Sequence, residues 1–146
     1  MAVDVVTEIE IDRPVEVVAA YATDPSNTPE WYANIASVTW RTEPPARVGT
    51  QVAFVARFLG RTLEYTYEYV DLVEGERLVM RTEEGPFPME TTYTWASTPA
   101  GGTRMTLRNR GNPTGFSALA GAVMAPAMRR ANRKDLRQLK QLLEDA

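Results

Sequence analysis

The first segment of the chain alternates between apolar and polar positions. Acidic residues occupy most of one side of this segment, and apolar residues occupy the other. The apolar side consists of Val3, Val5, Thr7, Ile9 and Ile11. Because a period of two residues is typical of a strand with one buried face, the sequence predicts a half-buried β-strand over residues 3–11.

Short helical segments are predicted next. Pro14 stands where a helix can begin, since the first helical position needs no N–H donor. Asp24-Pro25 and Thr28-Pro29 each combine a capping residue with a proline, which is typical of a helix start. The sequence therefore predicts a helix after Pro14 and short helical turns within residues 25–34.

Six further strands are predicted between residues 36 and 110. Their approximate ranges are 36–42, 49–58, 62–73, 76–84, 88–97 and 103–110. Glycine and proline residues separate most of them, as expected for tight turns. Because short loops join antiparallel neighbours, we expect a meander of strands.

A long helix is predicted at the end of the chain, capped by Asn112-Pro113 and reaching about residue 143. Its basic residues lie mostly away from one apolar stripe, as in an amphipathic helix. The stripe consists of Phe116, Leu119, Ala120, Val123, Ala127, Met128, Leu136, Leu139, Leu142 and Leu143. A helix of this kind would cover the concave face of a curved sheet, and one helix is too narrow to fill that concavity. The pattern thus favours a pocket between helix and sheet.

The residues expected to face this pocket are mainly aromatic residues and methionines, with few polar groups, as in small-molecule sites. They are Trp31, Phe54, Phe58, Tyr65, Tyr67, Tyr69, Met80, Tyr93, Trp95, Met105, Asn109, Met124 and Met128. Ordinary core packing is the alternative for each of them. A one-residue bulge would also turn the Tyr65–Tyr69 side of its strand outward, so the inward face of that strand stays open.

Several segments, taken in order, carry a family resemblance. They are residues 14–18 with Asp24 and Trp31, then Val48-Gly49-Thr50, residues 67–70 with 74–78, residues 101–106, and residues 135–140. This arrangement resembles the polyketide cyclase/dehydrase branch of the START-like (SRPBCC, Bet v 1-like) superfamily. The resemblance implies one α+β domain over residues 1–146 with a helix-grip fold. In that fold a curved antiparallel sheet of six to seven strands surrounds a long C-terminal helix, and two short helices follow the first strand.

Composition excludes several kinds of chemistry. The chain has 16 basic and 19 acidic residues, a net charge of −3, and neither cysteine nor histidine. Disulfides, thiolate metal sites and imidazole bases are therefore excluded, and we expect no metal and no cofactor. Nothing in the charge points to nucleic acid as a partner. We find no signal peptide and no apolar run of about 20 residues, so we expect a cytoplasmic protein without stable membrane insertion.

Three functions remain open from the sequence. The first, which the residues favour, is binding of a small hydrophobic molecule such as a lipid, a polyketide or an aromatic metabolite. The second is a cofactor-free cyclase or dehydratase that uses pocket tyrosines, Asn109 or an arginine. The third is a protein-interaction module with a filled cavity. A homodimer is compatible with each of them.

Overall fold

The computed structural model of the protein describes residues 3–58, 60–84, 88–111 and 118–146. Within these residues the chain forms seven strands and three α-helices. In chain order they are β1 (Val3–Ile11), α1 (Val15–Thr23), a 3-10 turn (Pro25–Asn27), α2 (Thr28–Trp31), β2 (Ile35–Trp40), β3 (Gln51–Phe58), β4 (Arg61–Val73), β5 (Arg77–Glu84), β6 (Met89–Ser97), β7 (Thr103–Gly111) and α3 (Ala118–Glu144). Each predicted strand and helix is present, while the predicted cap at Asn112-Pro113 lies outside the described residues.

The seven strands form one antiparallel sheet in the order β1-β7-β6-β5-β4-β3-β2. The strands from β3 to β7 follow one another through short connections, as the turn residues predict, while ten residues join β2 to β3. In the β4–β5 hairpin, Gly75 adopts a φ of 76°, a conformation that favours glycine over residues with a side chain. The α1–α2 segment carries the chain from β1, at one edge, to β2, at the other.

Helix α3 packs on the concave side of the sheet, which confirms the helix-grip arrangement. Leu136, Leu139 and Leu143 are buried in one cluster with Ile11 of β1 and Trp95 of β6. Burial of such apolar side chains is the main force that holds helix to sheet, at roughly 25 cal/mol per Å² of apolar surface.

The side chains of Phe116, Leu119 and Ala120 lie outside the described residues, and in the described part of the stripe the prediction is wrong at Val123. Val123 was expected in the stripe, but it is 46% exposed, whereas Met124 is fully buried. The stripe continues through Met128 and Leu139 in steps of three and four residues, and this spacing places residue 124, not 123, on the side that faces the sheet.

Three hydrogen bonds fix the end of α3 against the end of β1. The backbone N–H of Asp12 donates to Oε2 of Glu144 at 2.8 Å. Arg13 Nη1 donates to the carbonyl of Leu143 at 2.5 Å, and Lys140 Nζ donates to the carbonyl of Glu10 at 2.9 Å. The helix is thereby anchored at its carboxyl end.

The inward face of β4 is the face that carries the tyrosines. Leu63, Tyr65 and Tyr69 are buried, and Tyr67 is half-buried. Register shifts do occur between β4 and β5, near Tyr67 and near Asp71, but they do not turn this face outward.

The convex face of the sheet carries charged side chains that pair across strands. Arg108 pairs with Asp4 at 2.6 Å, and Glu90 pairs with both Arg81 and Arg110, at 2.8 and 2.6 Å. The hydrogen bonds from Arg81 and Arg110 lower the pKa of the Glu90 carboxyl. The strand arginines of these pairs therefore point away from the concave side, as their alternation predicts.

None of the helices in the described part of the chain is both long enough and apolar enough to cross a bilayer.

Candidate functional site

A cavity of about 140 Å³ lies between the concave side of the sheet and α3. The strands supply most of its wall because their inward positions alternate along β3 to β7. α2 and the segment after it supply one side, and α3 covers it. Its lining consists of Thr28, Tyr32, Asn34, Ile35, Phe54, Ala56, Leu63, Tyr65, Tyr67, Met80, Met89, Thr91, Tyr93, Asn109, Met128, Ala131, Asn132 and Asp135.

The apolar part of the wall is built from aromatic rings on β3 and β4. The rings of Phe54 and Tyr67 meet edge to face with centroids 5.8 Å apart, and Tyr65 lies 5.8 Å from Tyr67 in a tilted arrangement. Such geometries are favourable for aromatic pairs. They place flat apolar surfaces toward the cavity, together with the tyrosine hydroxyl groups.

A chain of polar side chains crosses the cavity from α3 to the sheet. Asn132 Nδ2 donates to Oδ1 of Asn109 at 3.3 Å, and Asn109 Nδ2 lies 3.5 Å from Oγ1 of Thr91, its acceptor. Thr91 and Asn109 are direct neighbours across β6 and β7. Burial raises the pKa of Tyr67 to about 12, although a hydrogen bond with Thr91 lowers it. The amide and threonine groups carry no charge, and Tyr67 is protonated at neutral pH. The hydrogen bonds among them satisfy part of their hydrogen-bonding capacity.

Two tyrosines form a second polar contact at the cavity. The hydroxyl groups of Tyr32 and Tyr93 are 2.7 Å apart. Burial raises the pKa of Tyr93 well above its ordinary value, and burial likewise raises the pKa of Tyr32. Both phenols are thus protonated at neutral pH. The ring of Trp31 lies behind this pair, with its centroid 5.7 Å from that of Tyr93.

Asp135 is the one acidic side chain among the described residues that line the cavity. It is 2% exposed, and its Oδ1 accepts the backbone N–H of Ala33 at 3.0 Å. Burial raises the pKa of this carboxyl to about 6, and the Ala33 hydrogen bond and the charge of Lys134 only partly offset the effect. Asp135 and Tyr32 also line a depression on the outside of the molecule between α2 and α3, so they stand between the cavity and solvent.

The structure divides the residues that were expected to face a ligand into three groups. Those at the cavity are Phe54, Tyr65, Tyr67, Met80, Tyr93, Asn109 and Met128. Those in the packed core instead are Trp31, Tyr69, Trp95, Met105 and Met124. The side chain of Phe58 lies outside the described residues. Contact of the first group with a ligand stays a prediction.

The residues of the second group have clear structural surroundings. Tyr69 donates its hydroxyl to the carbonyl of Thr23 at 2.7 Å and so holds the end of α1 on the sheet. Trp95 and Met105 lie in the same cluster as the leucines of α3. Met124 packs in a separate cluster with Val3 and other residues. Trp31 is buried in the same cluster as Trp95 and Met105, where its ring contacts those of Tyr32 and Tyr93.

Two polar residues of α3 at the cavity, Asn132 and Asp135, were not predicted. A signal for them exists in the sequence. Met124, Met128, Asn132, Asp135 and Leu139 follow one another in steps of three or four residues. That spacing puts an amide and an acid into the buried stripe of the helix, where a polar group needs either a partner or a function.

A wider groove of about 940 Å³ lies elsewhere, along α1 and the connection between β2 and β3. Its charged side chains include Glu16, Glu74 and Glu76, which are all exposed. Exposed acids of this kind are simply hydrated. The smaller cavity, with buried polar groups that face it, is the better candidate for a site.

Comparisons with known proteins agree with this geometry. The profile of a family described as "Polyketide cyclase / dehydrase and lipid transport" matches residues 2–144. No curated protein matches the chain in sequence.

Solved structures share the fold at low sequence identity. The protein TTHA0849 from Thermus thermophilus is 22% identical, with a TM-score of 0.81 and 94% of each chain covered. The Zhui aromatase/cyclase from a Streptomyces species is 14% identical, with a TM-score of 0.83, over 99% of this chain and 94% of that one. A START superfamily protein from Mycobacterium smegmatis is 13% identical, with a TM-score of 0.73, over 97% of this chain and 94% of that one.

Proposed function

Because this chain belongs to the polyketide cyclase/dehydrase and lipid transport family, we propose that it binds a small hydrophobic molecule in the cavity between the sheet and α3. One observation carries the proposal. The cavity of about 140 Å³ is lined mainly by apolar and aromatic side chains, with a few convergent polar groups. That combination is typical of small-molecule sites in proteins.

The volume limits the size of the ligand. An apolar cavity of about 150 Å³ holds one benzene molecule, whereas sites for drug-sized ligands measure about 300–1,000 Å³. The cavity in this structure, at about 140 Å³, therefore accommodates one aromatic ring. A lipid chain or a polyketide of several rings requires its walls to move apart. Of the three ligand classes considered from the sequence, a small aromatic metabolite fits best.

The cavity also bears on the third function considered from the sequence. A protein-interaction module was expected to have a filled core at this place. An open volume with the buried groups Asn132 and Asp135 on its wall supports ligand binding over that alternative, because polar groups beside an empty space weaken a core.

A cavity-filling variant tests the proposal. Ala131 of α3 lines the cavity, and Ala131→Leu places extra carbon atoms there. We expect the wild type to bind benzene in a saturable manner and this variant to lose at least about tenfold in affinity, while gaining about 1 kcal/mol in stability. Isothermal titration with benzene, with native mass spectra of the purified protein, measures both binding and any co-purified molecule.

The matched control is Ala127→Leu, one helical turn earlier, at a residue that does not line the cavity. It should bind benzene as the wild type does. Saturable binding that survives Ala131→Leu unchanged would place the ligand elsewhere, and a wild type that binds neither probe nor co-purified molecule would contradict the proposal.

A second function, proton-transfer catalysis of the cyclase or dehydratase kind, is favoured by one observation. Asp135 is buried beside the cavity and has a pKa of about 6, and a general acid or base works best when its pKa is close to the working pH. If this function holds, a bound molecule changes on incubation with the wild type and stays unchanged with Asp135→Asn. Chromatography of the extracted ligand distinguishes the two functions.

A further inference from the structure

The Asp135 carboxyl is buried without a cation beside it. None of the ion pairs among the described residues includes Asp135. Its neighbour Lys134 is exposed and acts on it only through the field of its charge. A buried ionised carboxyl that lacks a cation is unfavourable. The residue type at position 135 is therefore not explained by the packing of the fold.

One oxygen of this carboxyl already has a structural role. Oδ1 accepts the Ala33 N–H and thereby ties the segment after α2 to α3. An asparagine would perform the same task without a charge, because its amide oxygen accepts an N–H equally well. The second oxygen, Oδ2, accepts no hydrogen bond from the described residues, and Asp135 lines both the cavity and the depression between α2 and α3. What distinguishes aspartate from asparagine here is thus an acceptor that is available to a ligand.

The surroundings restrict what that ligand can be. The cavity holds about one aromatic ring, and the described residues of its wall are neutral aromatic, amide and apolar side chains together with the carboxyl of Asp135. A second anion would be repelled by Asp135 in a medium of low polarity. A ring without polar groups would leave the carboxylate without a partner after water is displaced.

We propose that the cavity selects a compact, neutral, single-ring ligand that carries a hydroxyl or N–H donor, and that this donor binds Oδ2 of Asp135. The proposal rests on the proposed function and names its ligand class, of which phenols are the simplest members. The aromatic walls around Tyr67 and Tyr93 contact the ring. Asp135 determines the orientation of the bound ring, with the edge that carries the polar group toward its carboxyl.

The Ala33 N–H makes the effect of an asparagine at position 135 predictable, because it determines how the amide is oriented. The amide oxygen must face the Ala33 donor, so the amide NH₂ takes the place of Oδ2. The variant Asp135→Asn thus replaces an acceptor by a donor at the same place. It should disfavour phenol, which would then have to accept a hydrogen bond, and favour an aromatic aldehyde.

The test uses four single-ring probes at pH 7.5: benzene, phenol, benzaldehyde and benzylamine. Affinities are measured by isothermal titration, and the tryptophan fluorescence gives a second readout, since Trp31, one of three tryptophans, contacts Tyr93 at the cavity wall. In the wild type we expect phenol to bind at least about tenfold more tightly than benzene, as a hydrogen bond to a charged acceptor provides. In Asp135→Asn, that advantage should disappear and benzaldehyde should bind more tightly than in the wild type.

Asp145→Asn is the matched control, since Asp145 is an exposed residue after the end of the same helix. It should show the wild-type order of affinities. The comparison of phenol with benzene in the wild type needs no variant, so the proposal stays testable even if Asp135→Asn does not fold.

The outcomes separate this inference from the proposed function. Equal affinities of the wild type for phenol and benzene would overturn the role of Asp135 while the cavity remains a binding site. Tightest binding of benzylamine, which is a cation at this pH, would replace the neutral class by a cationic one and overturn the inference as stated. Absence of binding by all four probes would overturn both proposals.

Discussion

Two parts of the concave side lie under the same helix and differ in how they are filled. Near the end of α3, Leu136, Leu139 and Leu143 pack directly against residues of β1 and β6. Asp135, next to Leu136, and Asn132, one turn before it, instead line the cavity between α3 and the sheet, and Asn132 reaches the sheet through its hydrogen bond to Asn109. The comparison teaches that one helix both packs against the sheet and borders a cavity, and that the polar positions of its buried stripe lie at the cavity.

The largest expected difference comes from truncation of one side chain in each part. Leu139 is fully buried, so Leu139→Ala should cost about 2–5 kcal/mol of stability, since it removes apolar contacts and leaves a void. Met128 is buried in a smaller cluster and borders the cavity, so part of its surface faces open space and Met128→Ala should cost only about 1–2 kcal/mol. Urea unfolding measures both. Equal losses would mean that the two parts do not differ in packing.

The pH dependence of stability should come next in size. The pKa of Asp135 rises from 3.8 to about 6 in the folded protein, so folding favours the protonated carboxyl. The resulting stabilisation is complete below the ordinary pKa and is lost as the pH rises through about 6. Between pH 4 and pH 7 the wild type should lose about 2 to 3 kcal/mol relative to Asp135→Asn. Asp145→Asn should show no such change, and neither variant should alter the slope of unfolding against urea. A constant difference between wild type and Asp135→Asn would show that the carboxyl is not desolvated.

The smallest effect is expected on the convex face, where a carboxylate does have cationic partners. Arg81 and Arg110 lower the pKa of Glu90, so its stabilisation is present above the ordinary carboxyl pKa and is lost as the pH falls. Glu90→Gln should cost about 0.5–1 kcal/mol at pH 7 and nothing measurable in acid. Glu43→Gln, at an exposed residue outside the strands, serves as the control. A pH dependence of the same sign as that of Asp135 would contradict the contrast between the two faces.

Most of the fold could be predicted because it depends on local patterns. Alternation defined the strands and turn residues defined the hairpins, but alternation alone left open which face of β4 points inward, because a one-residue bulge would reverse it. The position of α3 over the sheet does not depend on a local pattern. It is set by packing across the concavity, which is why a stripe that includes Val123 was as acceptable from the sequence as one that includes Met124.

The site was harder to predict for the same reason. Inward-facing residues could be named, but whether one of them borders a cavity depends on what α3 places opposite it. Trp95 and Met105 lie in the leucine-rich core away from the cavity. Tyr93 lies in the same core and Tyr67 packs against it, but both also border the cavity, where α3 offers small or polar residues. Asp135 was overlooked because an acidic residue on a basic, amphipathic helix is ordinarily hydrated, and only the three- and four-residue spacing of the buried stripe indicates otherwise.

The order of strands in the sheet has a consequence for how the chain reaches this structure. β1 pairs with β7 along its whole length, from Val3 opposite Gly111 to Ile11 opposite Thr103, so the first strand to be synthesised finds its neighbour only after the last one exists. Closing so long a loop is entropically costly and slow, whereas the hairpins between β3 and β7 require only short loops. We expect the hairpins to assemble early and β1 to join late, together with the end of α3 that it anchors. Pulsed hydrogen exchange during refolding would show this as late protection of the β1 amides, and simultaneous protection of β1 and β6 would exclude it.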